Sequence, residues 1–86
     1  MLEGLCVPVA KYPLGDIMIK NRLKQIRHEM YIDTQQEMAN LLGIRFEQYN
    51  RYENNKRQPS LDIALLIASR LNKHVDEIFY ICLDRQ

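Results

Sequence analysis

Apolar residues recur at helical spacing along most of the chain beyond residue 15. Four of them, near the start of this region, step by 4, 3 and 4 positions: Ile19, Leu23, Ile26 and Met30. This stripe predicts a first helix over about 17–30, with Asp16 as its N-cap. The preceding residues 1–15 contain two glycines and two prolines, and they predict an extended arm.

Boundary signals define two short helices separated by a glycine turn. Thr34 and Glu37 have the spacing of a capping box, in which the hydroxyl accepts from the backbone N–H three residues on. Gly43 predicts the end of the first of these helices, because the left-handed conformation costs least without a Cβ. The pair Asn54-Asn55 predicts the end of the second, since asparagine tolerates that conformation. The two helices are predicted at about 35–42 and 45–54.

The second half of the chain predicts a longer amphipathic helix followed by an apolar tail. Ser60 is the predicted N-cap of this fourth helix. Its predicted buried face contains Leu61, Ala64, Leu65, Ala68 and Leu71. Three more apolar residues widen the face beyond what a monomer's core needs: Ile63, Leu66 and Ile67. A fifth helix at about 76–80 leads into residues 78–83, whose β-favouring side chains are able to form a short strand.

Three motifs, in this order, resemble the XRE family of phage-repressor-like (Cro/CI-type) DNA-binding domains. They are TQQEMANLLGI, RYENNKRQPS and LDIALLIASRLNKHVDEIF, and the resemblance covers residues 19–79. It implies an all-α, five-helix lambda-repressor-like fold, whose helix-turn-helix sets one helix across the phosphate backbone and the next in the major groove. The implied organisation is an arm at 1–15, a DNA-binding domain at 16–80 and a short apolar tail at 81–86.

The resemblance also implies which residues contact bases. In the family they lie at the start of the recognition helix and one turn on, and here they are Arg45, Phe46, Glu47 and Arg51. Either arginine can donate two hydrogen bonds to guanine, and Phe46 can contact a thymine methyl. Glu47 either accepts from cytosine or repels phosphate and so sharpens register. In the alternative interpretation, Arg45 contacts the DNA backbone and Phe46 is a minor core or hydrophobic-staple residue. Arg45 also occupies the position at which serine or threonine usually caps this helix in the family.

Phosphate contacts are implied at five positions: Arg22, Gln35, Asn54, Lys56 and Arg57. Gln35 lies just inside the second helix, where its amide and the N–H groups of the helix start can face the DNA backbone. Asn54, Lys56 and Arg57 belong to the exit loop, which grips the opposite edge of the groove in the family. Solvated loop charge is the alternative interpretation of the last two.

An internal ion pair between Arg27 and Glu53 is implied as well, linking the first helix to the recognition helix. Removing one partner of a partly buried pair destabilises more than replacing both with apolar residues. Glu53 would then be a scaffold residue rather than a base contact. Tyr49 and Tyr52 lie one turn apart on a single face and are predicted to be core residues.

The distribution of charge favours a double-stranded DNA partner more than the net charge does. The 86 residues carry a formal net charge of only +1. Residues 20–57 hold eight lysines and arginines against five acids, a balance of +3, while the remainder holds four against six, a balance of −2. The basic excess therefore coincides with the helix-turn-helix.

Other classes of protein find little support in the sequence. No run approaches 18 consecutive apolar residues and the N-terminus lacks a signal-peptide pattern, so no membrane association is predicted. His28 and His74 have no partners at metal-ligand spacing, and no phosphate loop or nucleophile motif is present, so we expect no metal, cofactor or enzyme activity. Cys6 and Cys82 are predicted to be reduced thiols, with a disulfide between the chain ends as the alternative.

The leading hypothesis is a cytoplasmic, nucleoid-associated transcriptional regulator, a repressor in its mode of action, that binds a palindromic operator as a homodimer. The excess apolar surface of the fourth helix, together with the fifth helix and the tail, motivates the dimer. The alternative is a module that binds a protein partner, such as a toxin or an anti-repressor. A scaffold that has lost DNA binding is a third hypothesis, motivated by the low net charge.

Overall fold

The computed structural model describes residues 17–83, and the predicted arm at 1–15, Asp16, Cys6 and residues 84–86 lie outside them. Five α-helices and a two-stranded sheet form this part of the chain. The helices are α1 (Leu23–Glu29), α2 (Gln35–Leu42), α3 (Phe46–Glu53), α4 (Leu61–Leu71) and α5 (Val75–Ile78). The strands are β1 (Ile17–Asn21) and β2 (Phe79–Leu83), which pair antiparallel.

Strand β1 occupies the segment that was predicted to begin the first helix. Met18 lies opposite Cys82 and Lys20 lies opposite Tyr80 in the ladder. The all-α prediction is therefore wrong, whereas the short strand predicted after the fifth helix is confirmed as β2. The spacing of apolar residues could not reveal β1, because the partner that satisfies its backbone hydrogen bonds lies at the other end of the described chain.

Helix α1 consequently starts at Leu23, and the stripe predicted for it is only half buried. Leu23 and Ile26 are core residues, but Ile19 and Met30 are 38% and 42% exposed. The side-chain oxygen of Asn21 accepts from the N–H of Leu23 at 3.0 Å and so satisfies one donor of the helix start.

A single core lies between the helices. It consists of Leu23, Ile26, Met38, Ala39, Leu42, Tyr49, Tyr52, Ile67, Ala68, Leu71 and Ile78. The predicted burial of Tyr49 and Tyr52 is confirmed. The prediction for the fourth helix is partly wrong, because Leu61 and Leu65 are 74% and 51% exposed while Ile67 is fully buried. Both sets of positions have helical spacing, and only the location of α2 and α5 selects between them.

Left-handed residues end several elements, as the sequence indicated for two of them. Gly43 has φ 75° after α2 and Asn55 has φ 58° after α3. Ser60 holds the N-cap position of α4, but its hydroxyl donates to the Asp62 carboxylate and makes no cap bond, contrary to the prediction. None of the helices within residues 17–83 is long and apolar enough to cross a bilayer.

Candidate nucleic-acid interface

Helices α2 and α3 are joined by a tight turn whose geometry follows from local sequence. Thr34 adopts an extended conformation, and its Oγ1 accepts from the Glu37 N–H at 3.1 Å. Gly43 ends α2 in the left-handed region, and the Ile44 N–H then donates to the Ala39 carbonyl at 3.1 Å. Ile44 is packed against the core. These contacts hold the two helices in the arrangement of a helix-turn-helix.

Glu53 anchors α3 from its buried side. Its Oε2 lies 2.9 Å from Arg27 Nε and accepts from the Tyr49 hydroxyl at 2.8 Å. Its Oε1 accepts from the side-chain amide of Gln35. Arg27 also donates to the carbonyls of Ile32 and Asp33 at 3.2 and 3.0 Å, so one guanidinium joins α1, the α1–α2 loop and α3. The ion pair implied by the family resemblance is thus present as part of a larger network.

The electrostatics of this network favour an ionised carboxylate. Burial pushes the pKa of Glu53 upward, but the hydrogen bonds from Arg27, Gln35 and Tyr49 outweigh it and hold the pKa below its usual range. Burial, and then the hydrogen bond to Glu53, raise the pKa of the Tyr49 hydroxyl, which therefore stays protonated. The hydrogen bond to Glu53 likewise raises the pKa of Arg27. Glu53 consequently acts only as a hydrogen-bond acceptor.

The exposed side chains of α3 and of its N-cap residue include the four that were predicted to contact bases. Arg45, Glu47 and Arg51 are exposed, and Phe46 is 38% exposed. Arg45 is the N-cap residue, and its guanidinium, which has donors but no acceptor, makes no hydrogen bond to the N–H groups of the helix start. Helix α3 itself begins at Phe46 rather than at Arg45. The exposed face therefore presents two guanidinium groups, one carboxylate and one aromatic ring.

Three arginines line one open depression beside α3. The depression has a volume of about 700 Å³, and its lining includes Arg45 and Arg51 of the α3 segment and Arg57 of the exit loop. Glu47 and Gln48 lie in the same lining. A concentration of guanidinium groups in one concave surface is suited to an anionic ligand, and Arg forms two-pronged hydrogen bonds with phosphate and guanine. Arg45 and Arg51 both belong to the α3 segment, and the turn after α3 brings Arg57 beside them.

The exit loop folds back on α3 through its backbone. The N–H groups of Lys56 and Arg57 donate to the carbonyl of Arg51 at 2.8 and 3.3 Å. Asn54, Lys56 and Arg57 all have exposed side chains. This arrangement places the loop's two cations at the carboxyl end of the recognition helix, where they also complement its dipole.

Two residues assigned to phosphates have other partners in the structure. The guanidinium of Arg22 lies over the ring of Tyr80, 4.3 Å from its centroid, so this arginine belongs to the β2 side of the molecule rather than to α3. The side chain of Gln35 bonds Glu53 and Asn50 instead of pointing freely outward. At the start of α2 the Glu37 N–H is bonded to Thr34, so the backbone N–H groups of Gln35 and Gln36 are the ones left to face an anion.

Several polar residues that the sequence did not single out tie this surface together. Asn50 donates to Gln35 Oε1 at 2.6 Å, which joins α3 to the start of α2. Asn21, at the end of β1, donates to the Tyr52 carbonyl at 2.7 Å. Gln58 of the exit loop donates to the Ile19 carbonyl at 3.0 Å. No spacing rule identifies these contacts, because each spans at least 15 residues of sequence.

Comparison with known proteins agrees with this architecture. A family model described as helix-turn-helix matches residues 23–78. An uncharacterized HTH-type transcriptional regulator of Archaeoglobus fulgidus is 34% identical over 61 residues, which are 71% of this chain and 84% of that protein. The crystal structure of a candidate DNA-binding protein from Bacteroides fragilis aligns with a TM-score of 0.61 and 31% identity, covering 72% of this chain and 98% of that one. The chain belongs to the XRE family of helix-turn-helix, DNA-binding transcriptional regulators.

Proposed function

We propose that this protein is a repressor that binds a palindromic operator as a homodimer, in the cytoplasm beside the nucleoid, and that it acts by binding alone, without catalysis. The observation that carries the DNA part is the exposed face of α3, with Arg45 and Arg51 beside Arg57 around one depression. Arg45, Phe46, Glu47 and Arg51 contact base edges in this proposal. Phosphates are contacted by the start of α2 and by three residues after α3: Asn54, Lys56 and Arg57.

Two alanine variants separate these roles. Arg51→Ala removes a base contact, so the preference for the operator over random DNA should fall by roughly 5- to 150-fold. Lys56→Ala removes a phosphate contact, so binding to every sequence should weaken, and the slope of log K against log salt should drop by about one unit. Lys73→Ala is the matched control for Lys56→Ala. It removes the same charge from an exposed lysine, but Lys73 lies in the α4–α5 loop.

Fluorescence anisotropy with an operator selected from random DNA, titrated at several salt concentrations, provides both quantities. Equal losses of Arg51→Ala and Lys56→Ala on specific and random DNA would contradict the division of roles. Binding by the wild type that does not depend on salt would contradict the phosphate contacts altogether.

The dimer part of the proposal is supported by the exposed apolar residues of α4. Leu61 and Leu65 lie one turn apart and are 74% and 51% exposed. One recognition helix spans only a few base pairs, so a second copy on an adjacent half-site supplies the affinity and specificity that a regulator needs. The same apolar face would serve a toxin or other protein partner in the alternative function.

Sedimentation equilibrium tests the dimer. The wild type should be dimeric at tens of micromolar, and Leu65→Lys should be monomeric with an unchanged circular dichroism spectrum, because Leu65 is not a core residue. Ser69→Lys, one turn further on the same helix, is the control for added charge. A wild-type protein that remains monomeric at these concentrations while binding single half-sites would refute the dimer and leave a partner protein as the occupant of this face.

A further inference from the structure

We propose that Asn50 is a further specificity-determining residue and that it selects adenine at one position of each half-site. The proposal rests on the proposed DNA-binding function and adds a base contact that the resemblance to the family did not indicate. It follows from a chain of side-chain hydrogen bonds that runs from the buried carboxylate of Glu53 to the exposed side of α3.

The series of hydrogen bonds begins at the Glu53 carboxylate, which fixes the orientation of the Gln35 side-chain amide. Glu53 is buried, ionised and able only to accept hydrogen bonds, and it accepts from Arg27 and Tyr49 on one oxygen. Gln35 contacts the other oxygen. A carboxylate cannot donate, so Gln35 must present its NH2 group to Glu53, and its carbonyl oxygen must point the other way.

The orientation of the Gln35 amide in turn fixes the orientation of the Asn50 amide. The oxygen of Gln35 lies 2.6 Å from Asn50 Nδ2, and an oxygen at that distance requires a donor. Asn50 must therefore present its NH2 group to Gln35. One of its two N–H bonds is used there, which leaves the second N–H as a donor and Oδ1 as an acceptor for another molecule.

Asn50 lies on the side of α3 that faces outward. Asn50 is only partly buried, whereas Tyr49 and Glu53 beside it are buried. It is one helical turn from Phe46, Glu47 and Asn54, which are exposed. Asn50 thus belongs to the surface that would lie in the major groove.

Adenine is the base that matches a fixed donor and acceptor pair. In the major groove it presents the N7 acceptor beside the N6 amino donor, and asparagine bonds both. Guanine presents two acceptors, cytosine a single donor, and thymine one acceptor beside a methyl group, so each satisfies at most one atom of the asparagine amide. Because Gln35 holds the amide of Asn50, the rotation that would exchange its donor and acceptor breaks the bond to Gln35.

The test measures relative affinity for operators in which every half-site position carries each of the four base pairs. We expect the wild type to prefer adenine at one position by roughly 5- to 150-fold, and Asn50→Ala to lose that preference while keeping those at other positions. Replacing that adenine with 7-deazaadenine removes N7 without mutating the protein. It should weaken wild-type binding by about fivefold or more and leave Asn50→Ala binding unchanged.

A second variant tests the hydrogen-bond chain. Gln35→Leu frees the amide of Asn50, so the ratio of adenine to the next best base should decrease in addition to any general loss of affinity. Gln36→Leu is the control, since Gln36 is exposed on the next position of α2 and bonds only Asn40 among the described side-chain contacts. An unchanged ratio in Gln35→Leu would refute the orienting role.

The outcomes separate this inference from the function on which it rests. A wild-type protein that binds all sequences equally would refute the proposed function and, with it, the role of Asn50. A selective wild-type protein that tolerates 7-deazaadenine everywhere, or whose Asn50→Ala variant keeps every preference, would refute the role of Asn50 alone. A uniform loss of affinity in Asn50→Ala, without a change in preference, would assign Asn50 to the scaffold and likewise overturn the inference.

Discussion

Replacing Arg27 with methionine should be among the most destabilising single changes in the described fold. The side chains of Arg27 and Glu53 are 8% and 1% exposed, so the substitution leaves a buried carboxylate without its counter-ion. Breaking a buried ion pair in this way destabilises by about 3–5 kcal/mol. Tyr49 and Gln35 continue to donate to Glu53, which moves the expected loss toward about 3 kcal/mol.

The contacts of Arg27 with the α1–α2 loop add to this loss. Its hydrogen bonds to the carbonyls of Ile32 and Asp33 are removed as well, for about 0.5–1.5 kcal/mol each. Replacing Glu53 with leucine at the same time removes the buried charge, so the double variant Arg27→Met, Glu53→Leu should be more stable than Arg27→Met alone. Such non-additivity is the signature of two residues in direct contact.

The loss should also depend on pH in a defined direction. In the wild type the pKa of Glu53 lies below its ordinary value of 4.5, so its stabilising contribution is present above about pH 4.5 and is lost as pH falls through the folded pKa. Without Arg27 the folded pKa of Glu53 is higher than in the wild type. The difference in unfolding free energy between the two proteins should therefore be largest at pH 7 and should narrow at pH 4.

Urea denaturation followed by circular dichroism at both pH values provides the measurement. Arg51→Met is the matched control, because this arginine lies exposed on α3 and its loss should change stability by less than about 0.5 kcal/mol. Two results would refute the buried, ionised pair. One is a loss of unfolding free energy below about 1 kcal/mol for Arg27→Met, and the other is a stability difference between this variant and the wild type that is larger at pH 4 than at pH 7.

Three further changes test local geometry by the same denaturation assay. Tyr31 follows α1 with φ 58°, and Tyr31→Gly should stabilise by about 0.5–1 kcal/mol because glycine adopts this conformation without strain; destabilisation would show that the 92% exposed ring contributes packing. Gly43→Ala should destabilise by about 1–2 kcal/mol, since φ is 75° and a residue with a Cβ is strained there, whereas the Arg70 guanidinium that the new Cβ would meet can move aside; a neutral result would contradict the left-handed turn. Thr34→Ala should destabilise by about 1 kcal/mol through loss of the N-cap bond to Glu37, whereas Thr34→Ser should not.

The central part of the fold was predictable because its determinants are local. The Thr34 cap, the Gly43 turn and the buried face of Tyr49 and Tyr52 each depend on residues within one or two helical turns. The exposure of Glu47 and Arg51 follows from the same periodicity, because both lie opposite the buried stripe of Tyr49 and Tyr52, whereas Arg45 is exposed as the N-cap residue that precedes the helix. The sequence therefore predicted that Glu47 and Arg51 are exposed on α3.

The remaining features depend on contacts between distant segments, and only the tertiary structure decided them. Strand β1 exists because β2 returns beside it, and the pairing outweighs the helical spacing of Ile19 and Leu23. The helices that pack on α4 determine which of its faces is buried. Leu65 is exposed as a result, and Ile67 is buried.

The hydrogen bonds of the polar side chains beside α3 also join segments that are distant in sequence. Gln35 and Asn50 are ordinary polar residues in the sequence, and their orientations follow from Glu53, which lies 18 positions beyond Gln35 along the chain. By itself, the sequence determined the helix-turn-helix and the outward face of its second helix, because cap and turn bonds form between near neighbours. The tertiary structure decided strand β1, the packed face of α4 and the orientation of the Gln35 and Asn50 side-chain amides, because these depend on groups that only folding brings into contact.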